Sequence, residues 1–363
     1  MKGFLLFFLF SLVFASACGP GEGAVGTRER VGDLPKGVGG PTYSLAAGWP
    51  QLPDRFVLGN PSGIGIDSAG HVIVFCRRKR VWPVLLPIPG SLMTTDAILV
   101  LDGSSGKLLG SWGAGEFVMP HGLTVDAQDN IWITDVGLHQ VMKFSHEGKR
   151  LLTLGVAGEP GNDSLHFNRP TGVAVAPDGS FYVSDGYRNS RVVKFSAGGK
   201  YLFEWGRKGS SAGEFDIPHG ICLDETGNIY VADRENRRIQ VFDPSGRFLR
   251  QLADRSFGNI CGIAYDAFAH RIVAVDDQSF LHLKHRGSDV LILDREGKVI
   301  SRWGRSGGTD GPACWYHDVA LGRDGSIYVG DILGDRVQKF IPRRDSIGAS
   351  VPRQDPAGER YSR

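Results

Sequence analysis

The chain is 363 residues long, with 41% hydrophobic and 22% charged residues, a make-up ordinary for a soluble globular protein. A net charge of +2 argues against a nucleic-acid binder, and the one basic run, Arg77-Arg78-Lys79-Arg80, is short and follows an apolar strand. The 51 glycines recur at regular places, so many tight turns are expected.

In chain order, residues 1–17 come first. Lys2, an apolar run from Phe4 to Phe14 and Ala15-Ser16-Ala17 make a secretory signal, too short to span a membrane as a helix. Two readings stand at the cut. Either ordinary cleavage follows Ala17, or a bacterial lipoprotein signal makes Cys18 the lipid-modified first residue. The expectation is an exported protein, periplasmic or at the cell surface, whose contact with membrane is a lipid anchor at Cys18. Residues 18–45, rich in Gly, Pro and charge, read as a flexible tether, and 343–363 as a polar tail. Export permits disulfides, but the spacing of Cys76, Cys222, Cys261 and Cys314 names no pair.

Between tether and tail, over 46–342, one motif recurs six times. It reads Pro61-Ser62-Gly63-Ile64, Pro120-His121-Gly122-Leu123, Pro170-Thr171-Gly172-Val173, Pro218-His219-Gly220-Ile221, Ile260-Cys261-Gly262-Ile263 and Tyr316-His317-Asp318-Val319. Each copy leads through a turn such as Asp178-Gly179 to three more short alternating stretches, as in Phe181–Asp185, Val192–Phe195 and Tyr201–Gly206. Four short strands per unit at period two, repeated six times, predict an all-β fold: a six-bladed β-propeller of four antiparallel strands per blade. Two units carry insertions after the second strand. That of the first, Val81 to Thr95, holds the apolar run Val84-Leu85-Leu86-Pro87-Ile88-Pro89, which is read as a substrate mouth, a membrane contact or packing on its own blade. That of the fifth runs from Gln278 to Ser288.

Inner strands line the axis, so equivalent positions form a ring. After the Pro-like residue stand Ser62, His121, Thr171, His219, Cys261 and His317. Histidine therefore occupies alternate blades, about 120° apart in a six-fold ring. Three imidazoles with a fourth position open are the ligand set of a catalytic zinc, and imidazole also accepts iron, copper or nickel. The next position is glycine in five copies but Asp318 in the last. A carboxylate there either orients a histidine or holds a hard cation such as calcium. The other seven histidines (His71, His139, His146, His166, His270, His282 and His285) fall outside the register and read as surface or packing residues. Asp135, Asp185, Asp233 and Asp331 close second strands and are read as acceptors of turn hydrogen bonds; Cys76, followed by Arg77, matches them in the first unit.

The elements Gly-x-Ile-Tyr-Val-x-Asp and Arg-x-Gln-x-Phe resemble NHL repeats. Trp132-Ile133-Thr134-Asp135-Val136, Tyr182-Val183-Ser184-Asp185-Gly186-Tyr187 and Val231-Ala232-Asp233-Arg234-Glu235-Asn236 further resemble the peptidyl-α-hydroxyglycine α-amidating lyases, from about Trp49 to Phe340. That resemblance implies cleavage of a C-terminal α-hydroxyglycine into a peptide amide and glyoxylate. It implies catalytic zinc on His121, His219 and His317, and structural calcium at Asp318 with the backbone carbonyls of Ile64 and Leu123. It implies Arg77 and Tyr187 as catalytic residues, a monomer, and a small or peptide substrate ending in α-hydroxyglycine. The sequence departs from the family at Trp315-Tyr316 before the last histidine, where a methionine is usual, and at Arg188, where animal enzymes have cysteine. On the residues alone two other readings compete: a non-catalytic surface propeller that binds a peptide, glycan or protein partner, with a structural metal, and a metal-dependent lactonase or hydrolase.

Overall fold

Alternating β-branched and aromatic residues between tight turns fold into strands, and the repeat makes each set of four a separate sheet. In blade two Pro120–Val125, Ile131–Asp135, Gln140–Phe144 and Arg150–Leu154 pair in that order, antiparallel throughout. The second strand is sandwiched between neighbouring blades and buried at every position, whereas the fourth is half exposed. This gradient is why second strands read as continuous apolar runs. The computed structural model describes residues 42–82, 87–278, 287–304 and 314–343. The leader, Cys18, the tether to residue 41, the apolar Val84-Leu85-Leu86, His282, His285 and the tail from 344 lie outside the described residues.

Six four-stranded sheets are present, whose inner strands are Pro61–Ile66, Pro120–Val125, Gly172–Val175, Pro218–Leu223, Asn259–Asp266 and Tyr316–Leu321. The six-bladed propeller is thus as expected, with one difference in how it closes. Blade six takes its outer strand from Tyr43–Leu45, which pairs with Arg336–Pro342. Those three residues had read as the end of the tether. Tyr43 is buried and stacks on Trp303 of blade five, ring centres 4.7 Å apart, and Arg271 donates to its hydroxyl. Pairing the first and last described strands in one sheet closes the ring of blades.

The strand-closing aspartates are buried and tie each blade to the segment that enters it. Asp135 accepts the amide N–H groups of Val118, Met119, Gly137 and Leu138. Asp185, Asp233 and Asp331 accept the amides of Asn168, Asp216 and Trp315 at the same place. Blade five has a fifth, Asp276, which accepts the amides of Gly258 and Asp289. Cys76, Cys222 and Cys261 carry free thiols. Among the described residues no helix is long and apolar enough to cross a membrane.

The closing strand makes a prediction. Tyr43→Ala removes a buried ring from the seam and should destabilise the protein by about 3–5 kcal/mol in urea unfolding. Tyr43→Phe keeps the stack and should cost about 1 kcal/mol, the Arg271 hydrogen bond. Equal losses in the two variants would mean that the ring does not hold the seam.

Candidate metal centre

In blades one, two, four, five and six the pairing of inner and second strands slips by a bulge at the start of the inner strand, between Pro120 and Leu123 in blade two and between Pro218 and Ile221 in blade four. A bulge re-aims the residue it contains. It carries His121, His219 and His317, which are 1%, 3% and 4% exposed. Their ring centres are 4.7 to 4.9 Å apart and their planes 68 to 77° from one another, close to a three-fold arrangement.

The imidazoles are oriented by backbone, not by side chains. Nδ1 of His121 lies 2.8 Å from the carbonyl of Thr171, that of His219 2.9 Å from Cys261, and that of His317 2.7 Å from Ser62. Each carbonyl belongs to the same repeat position one blade on. A carbonyl can only accept, so Nδ1 carries the proton and Nε2 presents its lone pair to the axis. Burial pushes all three imidazoles below their ordinary range, His219 to about 3, and like-charge repulsion adds to this, from Arg234 at His219 and from neighbouring imidazoles at His121 and His317. They are neutral at physiological pH, the form in which histidine binds metal. Nε2 of His317 is buried with no hydrogen-bond partner. Three converging lone pairs, one left orphaned, fit a transition-metal ion, and the donor atoms all lie within 4.8 Å of one another.

On one side of this triangle, termed the mouth, the second strands end. Tyr187 follows the second strand of blade three and sets its hydroxyl 3.0 Å from Nε2 of His121 and 3.2 Å from Nε2 of His219. Burial raises the phenol above its ordinary range, while Arg234 and Arg77 pull it back. Arg77 follows the second strand of blade one and is 2% exposed. Its Nε donates to the carbonyl of Pro120, and its guanidinium lies over Trp82, 5.1 Å from the ring centre. Burial lowers its pKa to about 10, still charged at neutral pH. Trp82 and Ile88 of the first insertion pack with Tyr187, Val118, Met119 and Val136, so these two insertion residues flank the mouth.

Arg234 is the mouth residue that had no place in the sequence reading. It is 4% exposed, opens the short 3-10 turn Arg234–Asn236, lies over Trp315, and its Nε has no hydrogen-bond partner. Its register betrays it, since Arg77 and Arg234 both stand one place after the residue that closes a second strand. On the other side of the triangle a channel of about 370 Å³ runs along the axis between the inner strands. Asp318 lies there and does not orient a histidine. Its oxygens accept the amides of Ile64 and Val319, and burial pushes its carboxyl up to about 7.

The NHL repeat family matches residues 117–144, 167–195 and 215–242. Among solved structures, a gluconolactonase from Xanthomonas campestris superposes with a TM-score of 0.55 at 14% identity, covering 86% of this chain and 100% of that one. A streptogramin B lyase superposes at 0.51 and 14% identity, covering 80% and 95%. At that identity the likeness is one of fold. Sequence relatives are nearer. Peptidyl-glycine alpha-amidating monooxygenase B of Xenopus laevis is 35% identical over 82% of this chain, which spans 35% of that protein's length. Peptidyl-alpha-hydroxyglycine alpha-amidating lyases 1 and 2 of Drosophila melanogaster are 32% and 33% identical, over 87% and 83% of this chain and 68% and 76% of their own length. With the repeat, the propeller and two lyase relatives matched over more than two thirds of their own length, the chain belongs to the peptidyl-α-hydroxyglycine α-amidating lyase family.

Proposed function

We propose that the protein is a zinc-dependent lyase that splits a peptidyl- or N-acyl-α-hydroxyglycine into an amide and glyoxylate. The observation that carries this reading is the Tyr187 hydroxyl, held against two axial imidazoles and beside two buried guanidinium groups. His121, His219 and His317 would hold the zinc, whose charge, when bound, lowers the pKa of a hydroxyl beside it.

The reaction needs one proton moved and one bond broken. The hydroxyl of the substrate loses its proton, its C–O bond becomes the carbonyl of glyoxylate, the C–N bond breaks, and the amide nitrogen gains a proton. No water, oxidant or reductant enters. Tyr187 is placed to take the hydroxyl proton as general base and return it to the nitrogen. Burial by itself disfavours the phenolate, which therefore depends on positive charge nearby. Arg77 and Arg234 supply part of it. Arg77 spends its Nε on Pro120 and makes no hydrogen bond through its Nη atoms among the described residues, which leaves them for the carboxylate that departs as glyoxylate. Trp82 and Ile88 would exclude water above the reacting carbon. On the channel side Asp318, with the carbonyls of Ile64 and Leu123, is assigned a calcium ion. A carboxyl that burial pushes to about 7 is kept ionised by such a cation.

Three predictions test this. Purified protein should contain a zinc-class ion that His219→Ala loses, and chelation should abolish glyoxylate release from α-hydroxyhippurate. An ion present without any turnover would turn the reading towards a binding propeller with a structural metal. Tyr187→Phe should lower kcat by about 10²–10⁴ with KM little changed. Arg77→Lys keeps the charge but not the fork, and should raise KM about tenfold or more, as loss of a bidentate carboxylate contact does. Undiminished turnover in both variants would remove them from the chemistry.

A further inference from the structure

Two of the histidines outside the axial register meet. Asp67 ends the turn-proximal side of the inner strand of blade one, and His71 stands four residues on, across the turn. His146 lies on the turn between the third and fourth strands of blade two. Nδ1 of His71 is 2.8 Å and Nε2 of His146 2.9 Å from one oxygen, Oδ2 of Asp67. The other oxygen accepts the His71 amide at 2.7 Å, which fixes the carboxylate. Turns after inner and third strands share the end of the propeller opposite Arg77 and Tyr187, so this cluster is on the far rim from the mouth.

The repeat shows what these positions hold when only a turn must be closed. In blades two and four the residue matching His71 is Asn130 and Asn228, whose amides bond Asp126 and Asp224. An asparagine does that work, so it does not call for an imidazole. The residue matching His146 is Ala197 in blade three, Pro244 in blade four and Arg295 in blade five. Asp126 in blade two is also neutralised by Lys143, 3.2 Å away, and bonded by Trp132. In blade one those two positions are Val100 and Ile73. Thus one buried carboxylate has lost its lysine and gained two histidines from adjacent blades.

We propose that Asp67, His71 and His146 form a second transition-metal site, of zinc class, that clips blade one to blade two. Two imidazoles and a carboxylate are ligands zinc takes at about 2.0–2.2 Å, whereas calcium and magnesium prefer oxygen alone. Bonds of that length set ligand atoms about 3.4 Å apart in a tetrahedron. The three donor atoms lie within 4.8 Å of one another, so the imidazoles need only swing outward slightly. Their side chains are 31% and 32% exposed, which allows that movement and leaves the fourth position to water.

The test is a zinc titration of chelator-treated full-length protein, followed by calorimetry and elemental analysis. Wild type should take two equivalents. His71→Asn, which restores the residue of blades two and four, and His146→Ala, which restores that of blade three, should each take one and keep wild-type glyoxylate release. The axial double variant His121→Ala/His219→Ala should also take one, and adding His71→Asn to it should leave none. Rim variants that bind as much zinc as their parents would overturn the proposal and leave a hydrogen-bonded clamp. A wild type with a single equivalent, abolished by His71→Asn and kept by the axial variant, would uphold the rim site while removing the axial one.

Discussion

The bond from each axial Nδ1 to a backbone carbonyl one blade on constrains most of what surrounds it. It fixes the tautomer, so the lone pairs at Nε2 point inward without any carboxylate to set them. It also assigns different work to alternate blades. Blades two, four and six give imidazoles; blades three, five and one give the carbonyls of Thr171, Cys261 and Ser62. The same contact explains the residue that follows the histidine. A Cβ on Gly122 would fall 2.4 Å from the Thr171 carbonyl oxygen, and one on Gly220 2.6 Å from that of Cys261. Each is the oxygen its neighbouring imidazole uses, so in blades two and four a side chain after the histidine would displace that carbonyl, whereas blade six carries Asp318 at this place.

Electrostatics then follow from burial. The axial imidazoles are neutral, and the fixed charges near them on the mouth side include two buried cations, Arg77 and Arg234. That field favours an anionic group, or any negative charge developing on an oxygen, at the triangle. It is insufficient by itself to ionise Tyr187, whose phenol burial holds above its ordinary range. Were Tyr187 to act as the base proposed for it, its phenolate would need further positive charge beside it, and the three imidazoles are where a cation could supply that charge.

The blades, their register and the three histidines were legible because a repeat multiplies a weak local signal: one histidine beside a glycine means little, three on alternate copies mean a ring. What stayed hidden lacked that multiplication. Tyr43–Leu45 is three residues long and repeats nothing, so closure of blade six could be seen only as a pairing. Asp276 is followed by a second aspartate, which obscured its place beside Asp135 and Asp185. The partners of the imidazoles are backbone atoms and leave no mark in composition. Arg234 was readable in principle, by the register it shares with Arg77, but its charge looked like that of any solvated turn. His71 and His146 come from different strand ends of different blades, and only the packing of blade one on blade two puts them on one carboxylate.

Blade one departs from the others in a way that joins scaffold to chemistry. Its second strand closes on Cys76, not on an aspartate, so it has no buried anion there, and the cation Arg77 follows it towards the segment entering the next blade. That segment, Val118 to Pro120, leads directly into His121. Asp135 of blade two takes its amides, at Val118 and Met119. Its carbonyls are taken from the opposite side by blade one, Val118 by Arg80 and Pro120 by Arg77. With the carboxylate on one side and the guanidinium groups on the other, the approach to His121 is pinned on both edges. It also puts a permanent cation, with its Nη atoms to spare, at the lip of the axial site. Arg77 is therefore held in place by the strand that carries His121, through the Pro120 carbonyl that immediately precedes it.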